Sequence, residues 1–140
     1  MSNIARILQD SRIIAIVGMS DKPERASHEV AGYLLQHGYR VLPVNPALAG
    51  KEVWGQRAFA TLTEAASAVA PARIDIVDCF RKSEDILPIA EEAIAVKAGC
   101  LWLQLDVVNE AAAQLARAAG LEVVMDRCTK IEHRKLAVAA

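Results

Sequence analysis

Two short stretches of this 140-residue sequence carry the residue types that hold anions. The first follows the apolar run Ile13-Ile14-Ala15-Ile16-Val17 and reads Gly18-Met19-Ser20-Asp21-Lys22-Pro23-Glu24-Arg25-Ala26-Ser27. It offers a glycine for a tight turn, two cations in Lys22 and Arg25, and a serine suited to start a helix. Backbone N–H groups at a helix N-terminus, flanked by cations, make a phosphate site. Two exposed cations alone signify little. Their place directly after a buried strand turns the reading towards phosphate binding. The second stretch is Phe80-Arg81-Lys82. A dinucleotide fingerprint would be G-x-G-x-x-G, followed roughly 20 residues later by an acid for the ribose hydroxyls. Here Gly18 is followed by Ser20, and Val44-Asn45-Pro46 stands where the acid belongs. The residues therefore fit a ligand with a pyrophosphate and one further phosphate better than NAD.

Other chemistry is thinly represented. His28, His37 and His133 read as surface or capping residues, with no serine or cysteine partner suggested by spacing. Asp75 and Asp78 fall on opposite faces of one strand, which is no carboxylate pair. Cys79, Cys100 and Cys128 are too far apart for a metal motif. Cys79 and Cys100 lie inside strands and are expected to be inert. Cys128 follows the last strand beside Arg127 and Lys130, whose charges favour a thiolate, so it is the candidate redox thiol. The opposing reading is a small, partly buried apolar residue.

Positioning these residues requires strands that alternate with helices. Strands are expected at Ile13 to Val17, Tyr39 to Val44, Ile74 to Phe80, Cys100 to Leu105 and Leu121 to Met125, with at most a short strand or turn near Glu52 to Trp54. Ser27 is expected to cap a helix through Gln36, with Gly38 as its C′ residue. Thr61 to Glu64 is a capping box for a helix ending before Pro71. A helix starting at Ser83 or near Pro88 should close at Gly99, and Asn109 should cap another through Ala119. A basic segment from Cys128 to Lys135 trails the last strand. Pro43 removes a ladder donor and belongs at a strand end or bulge. Trp102, within an apolar strand, reads as core, while Trp54 fits core or interface.

This order predicts an α/β, Rossmann-like doubly wound three-layer sandwich with a mainly parallel sheet of five or six strands, as a single domain over 1–140. Its ligand would lie at the carboxyl ends of the strands, where Gln104 also falls. Composition agrees: 54% of residues are apolar, alanine alone supplies 26, and the net charge is −1. That balance argues against nucleic-acid or membrane-surface partners. The first ten residues do not read as a signal peptide, and no apolar run spans a membrane, so a cytoplasmic protein is expected.

Four spaced motifs carry a family resemblance: Ile16 to Pro23, Gly38 to Pro46, Trp102-Leu103-Gln104-Leu105 and Val124 to Cys128. Together they resemble the stand-alone bacterial coenzyme A (CoA) binding proteins, which are similar to the N-terminal CoA-binding domain of the succinyl-CoA synthetase α subunit. The resemblance runs from about Ile4 to Leu136. It implies CoA or acyl-CoA lying across the strand ends. By motif, Gly18, Ser20, Lys22 and Arg25 would meet phosphates, with Met19 of the same loop among the cofactor-binding residues. Val44, Asn45 and Pro46 would border adenine or pantetheine, with Phe80 and Arg81 as the facing wall and Gln104 nearby. The chain departs from the family at Asp106, commonly glycine, where a carboxylate would repel a phosphate brought close, and at Ala26-Ser27, where a proline is common. The phosphohistidine and nucleotide-grasping parts of the synthetases have no counterpart here, so a binding or regulatory module is expected. An NAD(P)-linked or acyl-CoA enzyme subunit completed by a partner, and a scaffold without a ligand, are the alternatives. A protein partner or a homo-oligomer is compatible with the sequence.

Overall fold

The apolar run at Ile13–Val17 forms β1, buried along its whole length because helices cover both of its faces. In the computed structural model, which describes residues 3–139, the chain runs α1 (Asn3–Asp10), β1, α2 (Ala26–Gln36), β2 (Arg40–Val44), β3 (Glu52–Val53), β4 (Gln56–Arg57), α3 (Leu62–Val69), β5 (Ile76–Cys79), α4 (Ile86–Ala95), β6 (Cys100–Leu103), α5 (Glu110–Ala118), β7 (Glu122–Val124) and α6 (Thr129–Ala139). Met1, Ser2 and Ala140 of the expected 1–140 unit lie outside the described residues. The main sheet has the order β2-β1-β5-β6-β7, and its neighbours all pair in parallel. This is the doubly wound, Rossmann-like α/β fold, with five strands.

Alternation along β1 divides the core into two layers. Ala15 and Val17 face the layer under α3, α4 and α5, while Ile14 and Ile16 face the layer under α1, α2 and α6. The alanines explain the close fit on the first side. Ala90, Ala93, Ala112 and Ala116 are fully buried between α4, α5 and the sheet, where longer side chains would hold the helices apart. Trp102 is fully buried, and its Nε1 donates to the Arg127 carbonyl at 2.8 Å.

Several expectations need correction. Pro43 sits inside β2 rather than at a strand end or bulge, because β2 is the sheet edge and tolerates a missing donor. The stretch after β2 contains a two-stranded antiparallel hairpin, β3–β4, rather than one short strand. The helix expected to close at Gly99 ends at Ala95, and Lys97 takes the positive φ, 60°, of the turn back to β6. Sequence reading gave no helix for the first twelve residues, and it left the basic tail irregular. Both form helices, α1 and α6, which pack on each other. Among the described residues no helix is long and apolar enough to cross a membrane.

Candidate functional site

From β1 the chain first crosses to β2 on one side and returns to β5 on the other, so the carboxyl ends of β1 and β5 flank the switch point. Gly18 occupies it with φ +87°, and a Cβ there would lie 2.4 Å from the Phe80 carbonyl oxygen. No other residue fits that gap. The N–H groups of Gly18 and Met19 donate to the Val44 carbonyl at 3.0 and 3.3 Å, turning the loop over the end of β2. Asn45 holds the turn from below: its Nδ2 donates to the Met19 carbonyl at 2.8 Å, and its Oδ1 accepts from the Ala47 N–H at 3.0 Å. A side chain so occupied explains why the missing ribose acid of β2 has no substitute in Asn45.

Ser27 is not the cap of α2. Arg25 takes the N-cap position, without a side-chain cap hydrogen bond, while the Ser27 Oγ accepts from the Ser20 N–H at 3.0 Å. The Ser20 Oγ in turn accepts from the Lys22 N–H at 3.1 Å. The serines thus fasten the loop to the helix, and the N-cap residue Arg25 makes no side-chain cap hydrogen bond to the first turn of α2. Its positive dipole end therefore faces the space beside the loop.

That space is a cavity of about 560 Å3. Gly18, Met19, Ser20, Lys22, Arg25, Asn45, Phe80 and Arg81 are brought together around it, as the sequence suggests. The Met19 side chain itself is buried in the α2-side core. Among the described residues no ion pair involves Lys22, Arg25 or Arg81, so three cations converge with no acid bonded to them. Asp21 stands on the same rim. Ala47 and Leu48 line it too, from a 3-10 turn (Pro46–Leu48) that the sequence reading left as irregular chain. The Asn45-Pro46 pair was the signal for it, since an Asx cap before proline starts such a turn.

The remaining candidates lie elsewhere. Val44 and Pro46 line a neighbouring cavity of about 300 Å3 beside α3, which shares Arg81 with the first. Gln104 is buried away from both: its Nε2 donates to Asp78 and, at 3.1 Å, to the Thr129 Oγ1. Thr129 completes the network by donating to Asp78 at 2.8 Å. Burial pushes the Asp78 carboxyl up to about 7, against the two hydrogen bonds, which lower it. Asp78, set between apolar residues in its strand, is the sequence signal of this network. Burial likewise raises the thiols of Cys79 and Cys100. Cys128 is half-buried against the α2-side core and does not line the cavity.

Asp106 does not line the cavity. It supplies the left-handed residue, φ 67°, of the turn after β6, which accounts for the family's glycine there. Its N–H donates to Asp126 at 2.8 Å. Beside it, the Val108 N–H donates to the Ser83 Oγ at 3.0 Å, and Asn109 donates to the Ser83 carbonyl at 2.9 Å. These bonds draw the loops together over the β5–β6 end. The histidines stand apart from the cavity. The His28 ring lies against Trp54, while His37 and His133 cluster with Tyr33 and Tyr39 beside the chain entering β2. Burial, then the neighbouring His37, lowers the His133 pKa.

Comparison with known proteins identifies the family and the fold. The family described as a CoA binding domain matches residues 12–134. The uncharacterized protein YneT of Bacillus subtilis (strain 168) is 40% identical over 132 residues, covering 94% of this chain and 93% of its own. A solved structure from Thermus thermophilus is 34% identical with a TM-score of 0.88, covering 97% of this chain and 99% of that one. At 20% identity and a TM-score of 0.70, the fold recurs in a dinucleotide-forming acetyl-coenzyme A synthetase of Ca. Korarchaeum cryptofilum, over 88% of this chain and 27% of that one.

Proposed function

This chain belongs to the CoA-binding domain family, and from that premise we propose that it binds CoA or acyl-CoA in the cavity between the β1–α2 loop and Phe80-Arg81, as a binding or regulatory module without catalysis of its own. The observation that carries the reading is the convergence of Lys22, Arg25 and Arg81 on the uncapped end of α2. A pyrophosphate suits the helix end and the loop amides, and cations around it suit the additional phosphate that CoA carries. Asn45 supports CoA over NAD, because both ends of its amide are bonded to the chain and no acid replaces it. The non-catalytic part of the reading is supported by the placement of the histidines, none of which lines the cavity.

Melting curves with CoA, acetyl-CoA, NAD and NADP test the proposal. CoA and its thioester are expected to raise the melting temperature, with NAD weaker or silent. Shifts with NAD or NADP that equal or exceed those with CoA would overturn it in favour of an NAD(P)-linked subunit. No shift with any of the four would leave a scaffold without a ligand.

A further inference from the structure

Trp54 is held in a conformation that its packing within the chain does not account for. It takes the first position of the two-residue loop between β3 and β4 with φ 56°, and Gly55 follows with φ 73°. Positive φ at both positions suits Asn-Gly or Gly-Gly, and a bulky side chain is rarely held there. The indole is fixed nonetheless. Its Nε1 donates to the His28 carbonyl at 2.8 Å, and the His28 ring lies 4.7 Å away, centroid to centroid. Gly32 of α2 makes room for it, since a Cβ there would come within 2.6 Å of the indole. Even so, Trp54 is 50% exposed. A residue recruited to fill the core would be buried, so this rigid aromatic is set for a contact outside its own chain.

The surroundings of Trp54 identify that contact. A groove of about 700 Å3 along α2 is lined by Trp54 with Pro23, Tyr33 and Leu35. Aromatic side chains concentrate in the cores of protein interfaces, and unpaired charges are depleted there. One carboxylate and one ammonium line the groove, Glu29 and Lys130, and they bond to each other. A two-fold interface sets a patch against a copy of itself. Such a patch needs an apolar projection and an apolar recess side by side, and no excess charge of one sign. Here Trp54, at the hairpin tip, is the projection and the α2 groove is the recess. A second exposed apolar stretch fails the same test. Leu105 and Val108 share their stretch of chain with Asp106 and Glu110, so two copies meeting there would oppose carboxylates. We propose that the α2–hairpin face is the interface of a two-fold dimer of this chain, with Trp54 of each copy packed against the α2 groove of the other. The phosphate cavity shares none of the groove's lining residues, so the dimer does not depend on what binds there.

Sedimentation of the whole chain across a concentration series tests the proposal. Wild type is expected to pass from the mass of one chain to that of two as concentration rises. Trp102 is fully buried, so a change in indole emission over the same series reports on Trp54, and it should move to shorter wavelength as the dimer forms. Trp54→Ala removes an anchor from both halves of a symmetric interface. It should raise the dissociation constant about 1000-fold, roughly 30-fold for each copy. Loss of the indole also loosens the hold of the hairpin on α2, so Gln36→Glu serves as a second variant that leaves Trp54 in place. Gln36 is an exposed residue of α2 that lines the groove, and the substitution adds a carboxylate to both facing copies. It should weaken the dimer at low salt and lose that effect as salt is raised. A chain that remains single at every concentration overturns the proposal. A dimer that either variant leaves at wild-type strength overturns it too. Binding of CoA by a chain that never dimerises would remove the interface and keep the CoA reading.

Discussion

Asp78 is bonded to an amide and a hydroxyl but to no cation, deep under the wall that Phe80 provides for the cavity. Burial raises its pKa to about 7. A carboxyl with a raised folded-state value holds its proton more tightly when folded than unfolded. Its contribution to stability is therefore greatest below the unfolded value near 4, declines as pH rises through about 7, and is level above that. Asp78→Asn removes the titration. The stability difference, variant minus wild type, should move in the variant's favour between pH 4 and 7 by up to about 1.4 kcal/mol per pH unit, then stay constant. Urea unfolding at pH 5, 7 and 8.5 checks this, and a pH-independent difference would refute it. Arg25 presents a different residue-scale test, because it caps α2 by its backbone while its side chain carries an unpaired charge to the cavity rim. If it meets the extra phosphate, Arg25→Ala should weaken CoA more than dephospho-CoA by roughly 1.5–3 kcal/mol. Equal losses measured by calorimetry would move that role to Arg81 or Lys22.

At the scale of elements, the site depends on how tightly β1, β5 and the start of α2 are drawn together. Gly18 is the joint. Its φ of +87° and the 2.4 Å gap to the Phe80 carbonyl mean that Gly18→Ala strains the backbone and pushes β1 from β5 at once. A loss of at least about 1–3 kcal/mol is expected. Because the same joint sets the loop amides and Arg81, CoA should stabilise the variant less than it stabilises wild type. Melting curves with and without ligand measure both effects. By contrast, Asn109 caps α5 and lines no part of the cavity. Its Oδ1 accepts from the Ala112 N–H at 2.9 Å and its Nδ2 donates to the Ser83 carbonyl, so Asn109→Ala should cost at least about 1 kcal/mol while weakening the ligand less than Gly18→Ala does. The pair separates loss of a site from loss of stability.

For the whole molecule, a net charge of −1 conceals a local excess of cations at one sheet edge. That contrast suits a small phosphorylated ligand rather than a polyanion, and CoA at about 100 times its dissociation constant should add about 2.7 kcal/mol of stability, visible as a rise in melting temperature. Much of this was legible in the sequence. Alternating buried strands and alanine-rich helices identify the doubly wound fold, because hydrophobic periodicity and caps such as Thr61 and Asn109 are local signals. That Gly18, Ser20, Lys22 and Arg25 share one loop at the end of a buried strand is also local, and the fold brings them round a single cavity. Tertiary structure alone decided the rest. Gln104 sits at a strand end by sequence, yet it turns inward because Asp78 and Thr129 need a partner from a strand and a helix far away in the chain. Ser27 looks like a cap, but a loop contact seven residues back takes its hydroxyl. Helices α1 and α6 are far apart in the chain and pack on each other, a contact that neither segment reveals by itself. Trp54 is set by Gly32, an α2 residue that no pattern around the tryptophan reveals. Local chemistry specifies which elements form, whereas long-range packing specifies which side chains are left to face a ligand.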